Sequence, residues 1–253
     1  MTPQPGPPLT PELFAAPPAR DARFRVVDRW VECETFASGD PRRSFEFLHR
    51  QMNEEVNGLE ASAQTLGDFP AADWPTRLGL ARQCADEARH ARMFRRLFEA
   101  RGGRVGQFPV LNFQFRIISG IDTLVGRLTV QNRSFEAGGL DAIDVGIATA
   151  GAEGDLELSA LFAAQLADEI LHVRFANEAI ERLRAADPRC VLHIGAALGR
   201  AAAGFREVMG REGTAGARYP VARDARAEAG FADDEIRRAA ELAQQLQQHR
   251  GPS

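Results

Sequence analysis

The pattern Asp-Glu-x-x-His occurs twice in this chain, as Asp86-Glu87-Ala88-Arg89-His90 and as Asp168-Glu169-Ile170-Leu171-His172, with the copies 82 residues apart. Three residues make nearly one helical turn, so in each copy the Glu and the His leave the same helix face. Each copy therefore brings one carboxylate and one imidazole to a single point, as a two-ligand metal clamp would. A lone Glu-x-x-His is most simply a solvated helix face. Here, however, two of only five histidines carry the same acidic prefix, and a matched pair is not explained that way.

A pair of clamps makes a complete two-metal site when two further helices each add a carboxylate, and the spacing tests whether they can. If two antiparallel helices place a Glu at the same height, the loop between them lies midway in sequence. Glu55 and Glu87 have their midpoint at residue 71, inside Asp68-Phe-Pro-Ala-Ala-Asp-Trp-Pro75, a helix-breaking stretch. Glu136 and Glu169 have theirs between 152 and 153, inside Gly151-Ala-Glu-Gly-Asp155. On the first helix Glu54 and Glu60 compete with Glu55. Leu48, Met52, Glu55, Leu59 and Leu66 form one apolar stripe, so Glu55 points inward; Glu54 shares a weaker face, and Glu60 is a candidate extra carboxylate. On the third helix Val125, Leu128, Asn132 and Glu136 form the matching stripe. A carboxylate in such a stripe costs several kcal/mol unless it is paired or bound to metal.

The spacing predicts helices over 41–66, 76–101, 113–138 and 155–185, then 190–211 and 233–248, with short extended pieces only around Phe24 to Val27. The connection from Gly102 to Leu111 is long enough to recross a bundle. Residues 1–40, with Met1-Thr-Pro-Gln-Pro-Gly-Pro-Pro at their head, read as a proline-rich arm that could wrap the domain or a second subunit of a homodimer. Residues 41–187 read as the bundle and 188–253 as a helical extension packed on it. No run of apolar residues approaches a membrane span, and the N-terminus lacks a signal peptide's basic start and apolar run. The net charge of −4, without a basic cluster, speaks against phosphate-driven nucleic-acid binding. Cys33, Cys84 and Cys190 are too scattered for a disulfide framework and read as the reduced thiols of a cytoplasmic protein.

These residues resemble the ferritin-like di-iron carboxylate superfamily, whose pattern is Glu followed by Glu-x-x-His, repeated once. Glu55-Val-Asn-Gly-Leu-Glu60, Asp86-Glu-Ala-Arg-His90, Glu136-Ala-Gly-Gly-Leu-Asp141, Gly154-Asp155, Asp168-Glu-Ile-Leu-His-Val173 and Ala222-Arg-Asp-Ala-Arg-Ala-Glu-Ala-Gly-Phe231 resemble one branch more closely. It is a bacterial ferritin-like domain family of uncharacterised function, distantly similar to tRNA-modifying di-iron hydroxylases. The likeness covers roughly residues 40–245, and Asn53-Glu54 stands where that branch would have a His. The resemblance implies an all-α fold: a ferritin-like four-helix bundle with one long crossover, plus additional C-terminal helices. It also keeps a tRNA substrate in view despite the charge.

Glu55, Glu87, His90, Glu136, Glu169 and His172 are thus the expected ligands of two metal ions. Such a set suits iron first, with Fe/Mn or Mn/Mn pairs as alternatives, and not structural zinc with its thiolates. Asp86 and Asp168 are placed to hydrogen-bond the far nitrogens of the histidines crosswise, Asp86 to His172 and Asp168 to His90. The expected function is a non-haem di-iron oxidase or oxygenase, using dioxygen and an electron donor to hydroxylate, desaturate or N-oxygenate a small organic substrate. The alternative is ferritin-type iron oxidation and storage, which a cage-sized particle on gel filtration would favour. The single tyrosine, Tyr219, and both tryptophans, Trp30 and Trp74, fall outside the four helices, so a stored tyrosyl radical of the ribonucleotide-reductase kind is not expected. His49 sits one position off the inward face; His193 and His249 read as ordinary residues, and Arg89 and Arg174 as partners in surface ion pairs.

Overall fold

The computed structural model describes residues 7–17, 23–37, 39–214 and 219–248; His249 lies outside them. The chain is mostly helical. A short strand β1 (Arg25–Val27) precedes two long helices, α1 (Arg42–Asp68) and α2 (Trp74–Ala100). A second strand β2 (Pro109–Leu111) pairs with β1 in parallel, Val26 against Val110. Then come α3 (Phe113–Ser119), α4 (Leu124–Val130), a π-helical segment (Gln131–Glu136), α5 (Ala137–Ala152), α6 (Leu156–Ala186), α7 (Cys190–Thr214), α8 (Arg223–Glu228) and α9 (Asp233–Gln248).

The two helix pairs form where the loop midpoints place them. Asp73 caps α2 by accepting from the Thr76 N–H at 2.9 Å, with Pro75 in the first turn, where its missing N–H costs nothing. Asp155 caps α6 through the Leu158 N–H at 3.1 Å and also takes both arms of Arg101, at 2.8 Å each. That fork ties the end of α2 to the start of α6. α1 packs along α2, α5 along α6, and α2 against α6, so the four segments that carry the acidic motifs face one another.

Two expectations change. The helix read as 113–138 is broken: α3 ends at Gly120, and a new helix starts at Thr123, whose hydroxyl accepts from the Gly126 N–H at 3.3 Å. Gly as a stop and Thr as a cap were both present in the sequence, but the apolar periodicity ran across them. The helical run that carries Glu136 therefore spans 124–152, and Phe113 and Phe115 belong to the preceding turn of chain. The second change is β2, whose partner around Phe24–Val27 was read but which itself lies in the long connection.

That connection is bolted to α1 by a polar stripe at steps of four. His49 Nε2 accepts from the Gly106 N–H at 2.8 Å, and Asn53 and Asn57 donate to the Leu111 carbonyl at 2.6 and 3.3 Å. Gly106 has φ +83°, and a Cβ there would stand 1.9 Å from the Arg23 carbonyl oxygen, so only glycine fits the crossing. Leu48, Met52, Phe94, Phe98 and Phe162 belong to one buried apolar core shared by α1, α2 and α6.

On the other face α8 covers Ala137, Leu140, Ile170 and Val173. It is held by Arg226, which forks onto Asp141 at 2.9 and 2.7 Å and also reaches the Ala137 carbonyl. No helix among the described residues is long and apolar enough to cross a membrane.

Candidate metal centre

Two groups of donor atoms gather in the middle of the helix pairs. Glu55, Glu87, His90 and Glu169 place one ligand atom each within 4.8 Å of one another, and so do Glu87, Glu136, Glu169 and His172. Both groups thus share Glu87 and Glu169, and each adds one further Glu and one His. All six side chains named from the sequence are brought together. Glu55 is the helix-one carboxylate in these groups, and neither Glu54 nor Glu60 belongs to either.

The histidines present Nδ1 to the carboxylates. His90 Nδ1 lies 3.1 Å from Glu55, 3.5 Å from Glu87 and 3.5 Å from Glu169. His172 Nδ1 lies 3.3 Å from Glu169 and 3.8 Å from Glu87. Their Nε2 atoms point the other way and cross between helices, His90 to Asp168 at 3.2 Å and His172 to Asp86 at 3.3 Å. This is the crosswise pairing expected from the motif: each aspartate orients the imidazole of the other copy and fixes its tautomer. The aspartates are themselves gripped from outside by Arg82 and Arg89, each pairing with both.

Electrostatically the cluster is short of positive charge. Burial, with the Glu169 charge next, pushes the Glu87 carboxyl up to about 8. Burial likewise raises Glu55 and, strongly, Glu136, with Glu169 adding to both. Burial works against a charged His90, but the hydrogen bonds it donates to Glu55 and Glu87 outweigh it and push the imidazole up to about 11. His172 is raised in the same way by Asp86 and Glu169. Buried carboxylates gathered this closely hold on to protons, and the imidazoles among them stay charged. The donor set, oxygen-rich with two imidazoles and no thiolate, could hold a metal ion.

Two residues that the motif reading missed belong to the same site. Gln83 and Gln165 stand four positions before Glu87 and Glu169, again 82 apart, so the repeat is Gln-x-Ala-Asp-Glu-x-x-His. Both are almost wholly buried. Gln165 Nε2 donates to Glu55 at 2.9 Å, and Gln83 Nε2 to Glu136 and, at 3.3 Å, to Glu87. Extending the alignment of the two copies by one turn would have found them. Asn132 adds a third amide, donating to Glu136 at 2.8 Å and to Gln83 Oε1 at 3.0 Å. It lies in the π-helical segment that ends at Glu136, and π turns of this type re-aim side chains at functional sites.

His49 does not reach the centre. Its ring packs among Phe24, Phe98 and Phe108, with centroids 5.4 to 5.9 Å apart, and burial keeps it neutral, lowered to about 4. Arg174 pairs with Glu228 and Arg89 with the two aspartates, as ion-pair partners. His193 lines a separate open pocket of 340 Å³ with Asp122 and Arg200. Trp74 is exposed at the start of α2, and Tyr219 is 39% exposed.

No curated protein and no solved structure matches the chain. Residues 6–237 match the profile of the family described as Protein of unknown function (DUF455), and the chain belongs to that family.

Proposed function

We propose that the chain is a ferritin-like di-iron carboxylate protein, an oxygen-dependent oxidoreductase acting on a small organic substrate. The observation that carries this reading is the pair of donor groups sharing Glu87 and Glu169. Glu55, Glu87, His90 and Glu169 would hold one ion, and Glu87, Glu136, Glu169 and His172 the other. Bound there, a ferrous pair supplies two electrons to dioxygen and so the oxidant for a substrate C–H or N–H bond.

The chain's own residues do the rest. Asp86 and Asp168 hold the imidazole N–H groups and keep Nδ1 free to ligate. Gln83, Asn132 and Gln165 hold the outer carboxylates in place. Phe94, Phe98 and Phe162 keep water from one end of the site. With Tyr219 exposed and outside the helix pairs, no phenol adjoins the cluster to trap the oxidising equivalent. The substrate would be a small molecule, the electron donor a separate partner, and the compartment the cytoplasm.

The test is to load the protein with ferrous ion without oxygen, admit dioxygen, and follow oxygen uptake and ferrous loss together. One dioxygen consumed per two ferrous ions, with a dimer-sized or smaller particle, supports the enzyme. Uptake no faster than that of free ferrous ion ends it. A cage-sized particle that goes on accumulating ferric iron would favour storage.

A further inference from the structure

Gln83 and Gln165 hold equivalent places and use their amide nitrogens alike, one on Glu136 and the other on Glu55. Their carbonyls differ. Gln83 Oε1 accepts from Asn132 at 3.0 Å. Gln165 Oε1 is enclosed and has no hydrogen-bond partner among the described residues, although the side chain is only 3% exposed. Turning the amide over does not cure this, since it would set the carbonyl oxygen against the Glu55 carboxylate and lose the one bond the side chain makes. Buried amide oxygens are seldom left without a donor.

The internal repeat of the site is therefore broken at this point. On the Glu136 side the second amide, Asn132, fills the place; on the Glu55 side nothing among the described residues does. Asn132 Oδ1 also lacks a partner, but its nitrogen is already engaged by Glu136, Gln83 and the His172 carbonyl, which locks that side chain away from the Glu55 side. Around Gln165 in α6, Leu161, Phe162 and Leu166 belong to the apolar core that also contains Met52 and Ile143.

We propose that Gln165 Oε1 is the acceptor for an O–H or N–H group of an otherwise apolar substrate, seated on the Glu55 side of the centre. This rests on the di-metal reading above and adds to it a side of approach and a polar anchor. The amide does two tasks at once: its nitrogen steadies a metal-ligating carboxylate, and its oxygen selects the substrate's donor group.

The experiment uses the whole chain loaded with manganous ion, with metal content measured on every sample. The probes are 1-hexanol and its isomer 1-methoxypentane, alike in size but only one a donor. Their dissociation constants come from nuclear magnetic resonance titrations, and broadening of the probe signals by the manganese reports their nearness to the centre. The alcohol should bind about three- to tenfold tighter than the ether, the range of one net hydrogen bond. Gln165→Met should keep the metal and abolish that preference; Gln165→Leu serves if the Met variant does not fold. Gln165→Glu should restore the preference, because a buried acid sharing its proton with Glu55 still offers a carbonyl oxygen. Arg174→Ala, which removes the ion pair with Glu228, should leave the preference intact. Equal binding of alcohol and ether, or a preference that survives Gln165→Met, overturns the proposal. Absence of bound manganese would instead sink the di-metal reading, and the same comparison by calorimetry on the metal-free chain would still decide the role of Gln165.

Discussion

Gly58 faces Glu87 so closely that a methyl group on the glycine would stand 2.7 Å from Oε1 of the carboxylate. Its counterpart in the second half is Gly139, since Glu55-x-x-Gly-Leu and Glu136-x-x-Gly-Leu are the same pattern. A Cβ at Gly139 meets nothing within 4 Å. Gly58→Ala should therefore push Glu87 out of place and weaken metal binding at both positions, since Glu87 belongs to both donor groups. Gly139→Ala should leave metal content unchanged and raise stability by up to about 1 kcal/mol, because alanine suits a helix better than glycine. Metal analysis and thermal melts of the two variants check this; equal effects at both sites would contradict it.

The crossed pairs Asp86–His172 and Asp168–His90 give a second expectation. Replacing either aspartate by Ala frees an imidazole to turn and removes the partner that fixes its tautomer. Each change should lower metal affinity about 10- to 100-fold while leaving the helical content intact. Competition against a chelator of known affinity measures it. Unchanged affinity in both variants would reduce the aspartates to partners of Arg82 and Arg89.

A third expectation concerns pH. The Glu87 carboxyl is raised in the folded chain from its ordinary 4.5 to about 8. Its contribution to the stability of the metal-free chain is thus fully present below pH 4.5 and lost as pH rises through about 8. His90, raised from 6.5 to about 11, keeps its contribution only up to about pH 6.5 and then adds a loss in the same direction. The metal-free chain should therefore melt at progressively lower temperature between about pH 4.5 and 8. Metal affinity should rise over the same range, because ligands must shed their protons to bind. Calorimetric titration with manganous ion in buffers of different ionisation enthalpy should show proton release at pH 7. Proton-neutral binding would mean that the buried carboxylates do not ligate.

Much of this was legible in the sequence because it rests on period and spacing. The two clamps, the inward face of Glu55 and the loops at residues 71 and 152–153 all follow from helical geometry, and the structure brings those residues together. What escaped has particular causes. The break at Gly120–Thr123 lay under a continuous apolar rhythm. The strand at Pro109–Leu111 depends on a partner more than eighty residues away, which no local pattern announces. The helix at Arg223–Glu228 is too short for periodicity and is held by contacts distant in sequence, the fork of Arg226 on Asp141 among them. Asn53, standing where a His was expected, turns out to secure the Leu111 carbonyl of the crossing chain. Gln83 and Gln165 were missed because the repeat was read one turn too short.

The central claim is that Glu55, Glu87, His90, Glu136, Glu169 and His172 bind two metal ions. It is tested most directly by counting metal in protein purified from iron-supplemented cells, beside the double variant His90→Ala, His172→Ala. The account predicts close to two ions per chain in the parent protein and loss of most of them in a variant that remains helical. Full metal retention in the double variant would place the metal elsewhere and contradict it.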